Sequence, residues 1–496
     1  IGLQVAQPFL EISSPLKSLP SFGVRPEPAV DSLSLRIFSM VTFTNLTRAP
    51  EIGANSYLIQ KGESSVMLDA GMHPRRDGWD ATPLLDQIPQ DLDAIILSHA
   101  HHDHIGALPL VSQAHPHAKV FMTSATAALA EPLLHNSVNV MTRQRRELGR
   151  MDYPLYTHRM VDDSAVTWEL APLNRPFRAD SSSELEFVFH DAGHVLGSVL
   201  TEIRAEERRA LYTGDLNLQR QSLMLPCQTP TGPFDTLIME TTRGAQPAIP
   251  GQDRAYFEEE LLTAIRTTFE RGGAVLMPVF AMGKTQEVIT LLHHARLAGK
   301  IPSAPVYIGG LGRAMTEVYD RQRTLAPRQH ANFRLIPEAQ PETFDPRRLP
   351  SLRLRAGHIY LLSAGMMTPK TTSHTIARLF FPREHDSILF VGYTEPSSPA
   401  GLLRKAGQGG TVDWGEQGGS LPVRCEVRHF DLTAHATRED LLRWVTEDIQ
   451  PSRVLLVHGD PDAQSWFASA LAASRPGMEI VQPPPGLPIP LFRKLS

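Results

Sequence analysis

A chain of 496 residues, 42% hydrophobic and 20% charged, is too long for one ordinary core and has the composition of a soluble globular protein of two or three domains. It has no apolar run of membrane-span length and no basic stretch leading into an apolar core, so a cytoplasmic protein with no membrane partner is expected. Cys227 and Cys425 alone cannot build a thiolate zinc site, which leaves any metal to His and Asp, and a net charge of −5 leaves nucleic-acid binding to the local lining of a cleft.

Residues 1–34 are rich in Pro and Ser without a period and read as an extended leader. From Leu35 the pattern is one of short strands, and a turn at Lys61-Gly62-Glu63 joins two apolar runs into a hairpin that ends at Asp69 and Gly71. The stretch Ile96–Gly106 then brings His99, His101, Asp103 and His104 within six residues, in a loop between a strand and a helix or turn. Unpaired imidazoles gain nothing from one another and repel once protonated. A metal removes that conflict, and a compact loop can aim His99 and His101 at one ion and Asp103 and His104 at another.

Next come a strand, an N-capping Thr or Ser and a helix across VFMTSATAALAEPLLHNSV, then the basic residues Arg143, Arg145, Arg146 and Arg150, read as a solvated helix face. His194 and Asp215 each follow an apolar strand beside a glycine, which aims them at the mouth of a sheet. From about 245 to 427 the texture is that of a second α/β domain, with Gly283 and Lys284 opening a long helix as a candidate phosphate cradle. The last part holds HFDLTAHATREDLLRWV, with His435, and the buried strand RVLLVHGD, with His458. His115, His117, His135, His293, His294 and His330 lack strand-end placement and are set aside; His374 is a rival to His435.

The spacing His-x-His-x-Asp-His at 99–104 resembles the metallo-β-lactamase signature, and the later motifs resemble those of the β-CASP nucleases, the branch that includes bacterial RNase J and the pre-mRNA 3′-end endonuclease. Those motifs are Glu240 ending LIMETTRG, Phe-Ala-Met-Gly-Lys at 280–284, Ser-Ala-Gly-Met-Met-Thr at 363–368, and the segments around His435 and His458. The resemblance implies an α/β fold: a metallo-β-lactamase αββα sandwich built from residues 35–244 and 428–496, with a β-CASP domain, 245–427, inserted between them. It departs from the family at Arg243, where Tyr is usual, at Lys284 for Arg, at Pro369-Lys370 for two glycines, and at Thr437 for Asp.

Carried over residue by residue, the resemblance implies two zinc ions (Zn2+) per chain, one held by His99, His101 and His194, the other by Asp103, His104 and His458, with Asp215 and a hydroxide between them. Asp69 would orient the metal loop, and Asp103 would count among the catalytic residues as well. Two ions roughly 3.5–4 Å apart activate the bridging hydroxide and clamp the scissile phosphate, while His435, oriented by Glu240, protonates the leaving 3′-oxygen. Lys284, Ser363 and Gly365 are the expected RNA contacts. The expected activity is hydrolysis of single-stranded RNA, in processing or decay, with a homodimer as a state left open. A DNA nuclease of the Artemis type, a small-molecule esterase or lactonase, and a non-catalytic RNA-binding subunit are the alternatives.

Overall fold

In the computed structural model, which describes residues 40–415 and 419–493, three main sheets organise the chain; the expected leader, 1–34, lies outside the described residues. The first sheet has seven strands in the order Pro488–Pro490, Thr42–Asn45, Tyr57–Lys61, Ser64–Leu68, Ala94–Ile96, Lys119–Met122 and Trp168–Leu170. The hairpin at Gly62 gives its antiparallel half, and the remaining strands pair in parallel. The second sheet runs Glu479–Val481, Arg453–Val457, Thr236–Glu240, Arg208–Tyr212, Val199–Ala205, Leu185–Asp191 and Pro176–Phe177.

Period-two alternation explains why these two sheets lie face to face. In Thr236–Glu240, Ile238 joins Phe43, Tyr57, Val66, Phe187 and Leu455 in the core between the sheets. Leu237 and Met239 point the other way and pack on Leu441, Trp444 and Phe467. On the far side of the first sheet, Met67, Ile95 and Val120 bury against Leu108 and Val111 and against the helix Ser124–Leu148. That helix opens as expected, with Thr123 as N-cap accepting from Thr126 N–H at 3.1 Å. The result is an αββα sandwich.

The third sheet is wholly parallel, in the order Glu342–Thr343, Val306–Ile308, Ile359–Leu362, Val275–Pro278, Ser387–Val391 and Glu426–Phe430. Its central strands Val275–Pro278, Ile359–Leu362 and Ser387–Val391 are buried along their whole length, as a sheet covered by helices on both sides requires, while the edge strands carry polar residues. Arg254–Glu270 and Lys284–Leu297 share one core with Val275, Met277 and Leu361, while Thr372–Phe380 packs with Leu276, Leu362 and Phe390 on the other face. Strand Glu426–Phe430 pairs along its whole length with Ser387–Val391, so it straddles the division expected at 427. Pairing in the sheet, which composition does not reveal, carries the inserted α/β layer three residues further.

This topology positions the site. Leu185–Asp191, Arg208–Tyr212, Thr236–Glu240 and Arg453–Val457 all run in the same direction. His194, Asp215, Glu240 and His458 therefore emerge at one edge. No helix among the described residues is long and apolar enough to cross a membrane.

Candidate metal centre

The loop after Ala94–Ile96 is held through its backbone. Asn55 N–H donates to Asp103 O at 2.9 Å, Ala70 N–H to His104 O at 2.8 Å and Met72 N–H to His102 O at 3.1 Å. Such an approach needs glycine at 71, where a Cβ would lie 1.8 Å from Asp103 O. His99 and His101 stay in the loop, whereas His102–Ile105 winds one helical turn that presents Asp103 and His104. The stretch expected to be loop throughout is therefore half helical.

Asp69 adopts left-handed backbone, φ 56°, which costs energy for a residue with a Cβ. Its carboxylate accepts from Ser98 N–H and Ser98 Oγ at 2.7 Å, from His104 Nδ1 at 2.7 Å and from Tyr212 O–H at 2.6 Å. Neither Ser98 nor Tyr212 stands out in the sequence, because each acts only once the fold has brought Asp69 beside it.

Asp215 stands between two groups. Its Oδ2 lies 3.5 Å from His99 Nε2 and 3.6 Å from His194 Nε2; its Oδ1 lies 3.4 Å from His104 Nε2 and 3.1 Å from His458 Nε2. On the first side, His101 Nδ1 is 3.0 Å from His99 Nε2 and 3.1 Å from His194 Nε2. On the second, Asp103 Oδ2 is 3.9 Å from both His104 Nε2 and His458 Nε2. The seven residues expected as ligands thus converge, and within them His99, His101, His194 and Asp215 form one set and Asp103, His104 and His458 another.

These donors fit a divalent metal. His104 Nδ1 is turned to Asp69, His99 Nδ1 to Ser98 Oγ at 3.0 Å and His194 Nδ1 to Ala434 O at 2.7 Å. With Nδ1 occupied outward, each Nε2 offers its lone pair inward. Burial, reinforced by the neighbouring imidazoles, pushes His99 and His101 well below the ordinary histidine value, and His194 to about 4. Neutral imidazole is the form that binds metal, and these three are held in it. At His104 burial is outweighed by the carboxylates of Asp215, Asp69 and Asp103, which raise it well above the ordinary value, so a cation there would displace a proton. Asp215 Oδ1 is buried and accepts no hydrogen bond, a cost that a cation would remove.

His435 lies beside this centre, its ring centroid 4.7 Å from that of His194. Its Nδ1 is 3.3 Å from Glu240 Oε2 and 3.4 Å from Oε1, and its side chain is 23% exposed where that of His194 is 1%. Burial opposes its charge, but the Glu240 carboxylate outweighs that and raises it above the ordinary value. Glu240 is fixed in turn by Leu216 N–H, 2.9 Å from its Oε1. Thr437, at the family's usual Asp, caps the helix Arg438–Arg443 by accepting from Asp440 N–H at 3.1 Å. Arg243, at the usual Tyr, grips Asp431 through both guanidinium nitrogens, at 2.8 and 2.5 Å.

The expectations for Lys284 and Gly365, as RNA contacts, and for His374, as the rival to His435, need correction. Lys284 is no open phosphate cradle: its ammonium donates to Leu432 O, because the segment leading to His435 passes directly over the helix start. Gly365 is buried against Phe280, where a Cβ would lie 3.2 Å from Phe280 N, and Ser363 accepts from Ser373 N–H at 3.1 Å through its carbonyl. Gly365 thereby serves packing of the third sheet's strand end, while the Ser363 side chain stays half-buried beside it. The rival His374 stacks on Trp414, centroids 4.6 Å apart and 6° from parallel, and joins neither ligand set. Among the described residues, His115, His117, His135, His293, His294 and His330 also stay outside the sets.

Comparison with known proteins agrees with this architecture. Residues 49–262 match the metallo-beta-lactamase superfamily model, residues 285–403 the Beta-Casp domain, and residues 420–483 the Zn-dependent metallo-hydrolase RNA specificity domain. Similar proteins include Endoribonuclease YSH1 of Eremothecium gossypii, 28% identical over 90% of this chain and 58% of that protein. Endoribonuclease ysh1 of Aspergillus fumigatus is 30% identical over 89% of this chain and 54% of its own length, and the Saccharomyces cerevisiae protein is 26% identical over 87% and 56%. The chain spans a little over half the length of these relatives. A crystal structure of a protein of unknown function from Enterococcus faecalis V583 shares the fold with a TM-score of 0.54 at 15% identity, covering 91% of this chain and all of that one. By its three matched domains, which follow one another in one polypeptide between residues 49 and 483, the chain belongs to the β-CASP family of the metallo-β-lactamase superfamily.

Proposed function

We propose that the chain is a metal-dependent ribonuclease that hydrolyses phosphodiester bonds of single-stranded RNA, with zinc as the metal and two ions per chain. The observation that carries the proposal is Asp215, whose two oxygens face two separate sets of buried donors. His99, His101 and His194 would hold one ion, Asp103, His104 and His458 the other, and Asp215 both. When bound, the ions supply Lewis acidity that generates a nucleophile from water at neutral pH and offsets charge on the phosphate.

The chain's own residues do the rest. Asp69 fixes the orientation of His104 through Nδ1, and Ala434 O does the same for His194. Glu240 turns His435 Nδ1 toward itself, which leaves Nε2 to give a proton to the leaving 3′-oxygen. The names of the relatives support cleavage within RNA chains, and the matched RNA specificity domain supports RNA as the polymer. We read 245–430 as the insert, with its last strand ending at Phe430, and the segments on either side of it as the domain that carries the ligands, in a cytoplasmic protein.

The test is a time course on internally and end-labelled RNA beside the matched DNA, with metal quantified in the same preparation. Internal RNA cuts abolished by chelator and restored by zinc are expected. Release of mononucleotides only from the 5′ end would make it an exonuclease, and cleavage of DNA alone would overturn the RNA reading.

A further inference from the structure

The segment Asp431 to Ala436, which presents His435, has no regular secondary structure, yet nearly every residue in it is anchored by a different group. Arg243 holds the Asp431 carboxylate. Lys284 Nζ donates to Leu432 O, Arg254 Nη1 to Thr433 O at 3.0 Å, and His194 Nδ1 to Ala434 O at 2.7 Å. His435 N–H donates to Thr433 Oγ1 at 3.0 Å, and Ala436 N–H to Leu216 O at 2.8 Å. Three successive carbonyls that no strand or helix satisfies thus find three separate donors, and two of those donors are cations from the inserted α/β layer.

The cations are themselves fixed. Lys284 and Arg254 are the first residues of their helices, and Glu287, one turn after Lys284, pairs with Arg254 Nη2. Glu287 is buried and accepts from Ser222 N–H at 2.6 Å and Leu223 N–H at 2.9 Å. The Lys284 stem passes beside Gly392, where a Cβ would lie 3.5 Å from its Cε, and its ammonium ends on Leu432 O. That carbonyl lies three residues before His435.

We infer that Lys284 and Arg254 are positioning residues, which act through the carbonyls of Leu432 and Thr433 to hold His435 beside Glu240 and the metal ligands, instead of binding the RNA backbone. The inference rests on His435 as the proton donor. It ties the inserted domain to the chemistry: a shift of that domain pulls on the backbone that carries the donor. A misplacement of about 1 Å at a reacting group costs on the order of a hundredfold in rate, so a methionine in place of the ammonium should be felt in turnover.

Arg254 also carries ion pairs to Glu258 and Glu287, so the informative variant is Lys284→Met, with Lys284→Arg as the conservative control. On RNA, Lys284→Met should lower kcat about ten- to a hundredfold with KM and salt dependence held. On a nitrophenyl phosphodiester, whose leaving group needs no proton, it should lose little. Amide hydrogen exchange in 431–436 should quicken, metal content should stay, and Lys284→Arg should restore all of these. A raised KM with kcat held would make Lys284 a phosphate contact and overturn the inference, as would equal losses on both substrates. His435→Ala, run in parallel, separates the two levels. If that variant too fails to spare the nitrophenyl substrate, His435 is not the donor, and unchanged exchange in Lys284→Met then overturns the positioning of the segment on its own.

Discussion

His104 directs its Nδ1 at Asp69 across 2.7 Å, with the two side chains 1% and 0% exposed. The same carboxylate takes Tyr212 O–H and both donors of Ser98, so its orientation is set from the first and second sheets together. Asp69→Asn keeps the shape but removes the charge and puts an amide N–H2 where an acceptor is needed. Metal affinity should fall about 10- to 100-fold, measured by competition with a chelating dye. Unchanged affinity would mean that His104 keeps its orientation without Asp69.

His435 and His458 both end in the same cleft, but their surroundings assign them different work. His458 Nε2 lies 3.1 Å from Asp215 Oδ1, so His458→Ala should lower both bound metal and rate. His435→Ala should leave the metal in place and slow RNA cleavage by roughly a hundred- to ten-thousandfold. Glu240→Gln should resemble it in milder form, since the imidazole stays while its partner weakens. Metal analysis beside single-turnover rates checks all three, and an emptied site in His435→Ala would make His435 a ligand.

The candidate ligands were legible because chemistry leaves few other reasons for His99, His101, Asp103 and His104 to crowd six residues, and because His194 and Asp215 each follow an apolar strand beside a glycine, while His458 came only with the family resemblance. The partners that orient them were not. Tyr212 reads as an ordinary strand residue until Asp69, on the other sheet of the sandwich, is packed 2.6 Å from its hydroxyl. Lys284 shows the opposite failure. A cation after glycine at a helix start suits phosphate on local grounds, and only the tertiary path of residues 431–436 supplies the carbonyl that occupies it. The strand end at His429-Phe430 was readable, but its place was not, since only the fold shows that the strand pairs with Ser387–Val391 in the inserted layer.

Gly71 offers a steric test of the metal loop. A Cβ there would meet Asp103 O at 1.8 Å and Asn55 N at 2.6 Å, backbone on both sides. Gly71→Ala should destabilise the protein by about 1–3 kcal/mol and displace Asp103 enough to lower metal content. Gly310, where nothing lies within 4 Å, opens the helix Gly310–Arg321, and Gly310→Ala should be neutral or slightly stabilising. Urea midpoints and metal equivalents for the pair decide it, and full metal content in Gly71→Ala would show that the loop yields.

Glu202 provides a pH-dependent stability element away from the metal centre. Its side chain is 1% exposed, with Oε1 accepting from Arg204 Nε at 2.7 Å and Arg209 Nε at 2.8 Å, and Oε2 2.9 Å from His190 Nε2. Burial alone would raise its pKa, but the hydrogen bonds from His190, Arg209 and Arg204 outweigh it and hold the carboxyl well below the usual range. A carboxylate depressed in the folded state contributes stability that is present above its unfolded value of about 4.3 and is lost as pH falls toward the folded one. Glu202→Gln should therefore lower stability by about 1–3 kcal/mol at pH 7, a range kept modest because the two arginines are partly exposed and screened. The difference between the two proteins should stay level from pH 7 to about 5 and shrink below about 4. Urea midpoints across that range measure it. A difference that persists unchanged at pH 3 would mean that Glu202 stabilises by packing and not by charge.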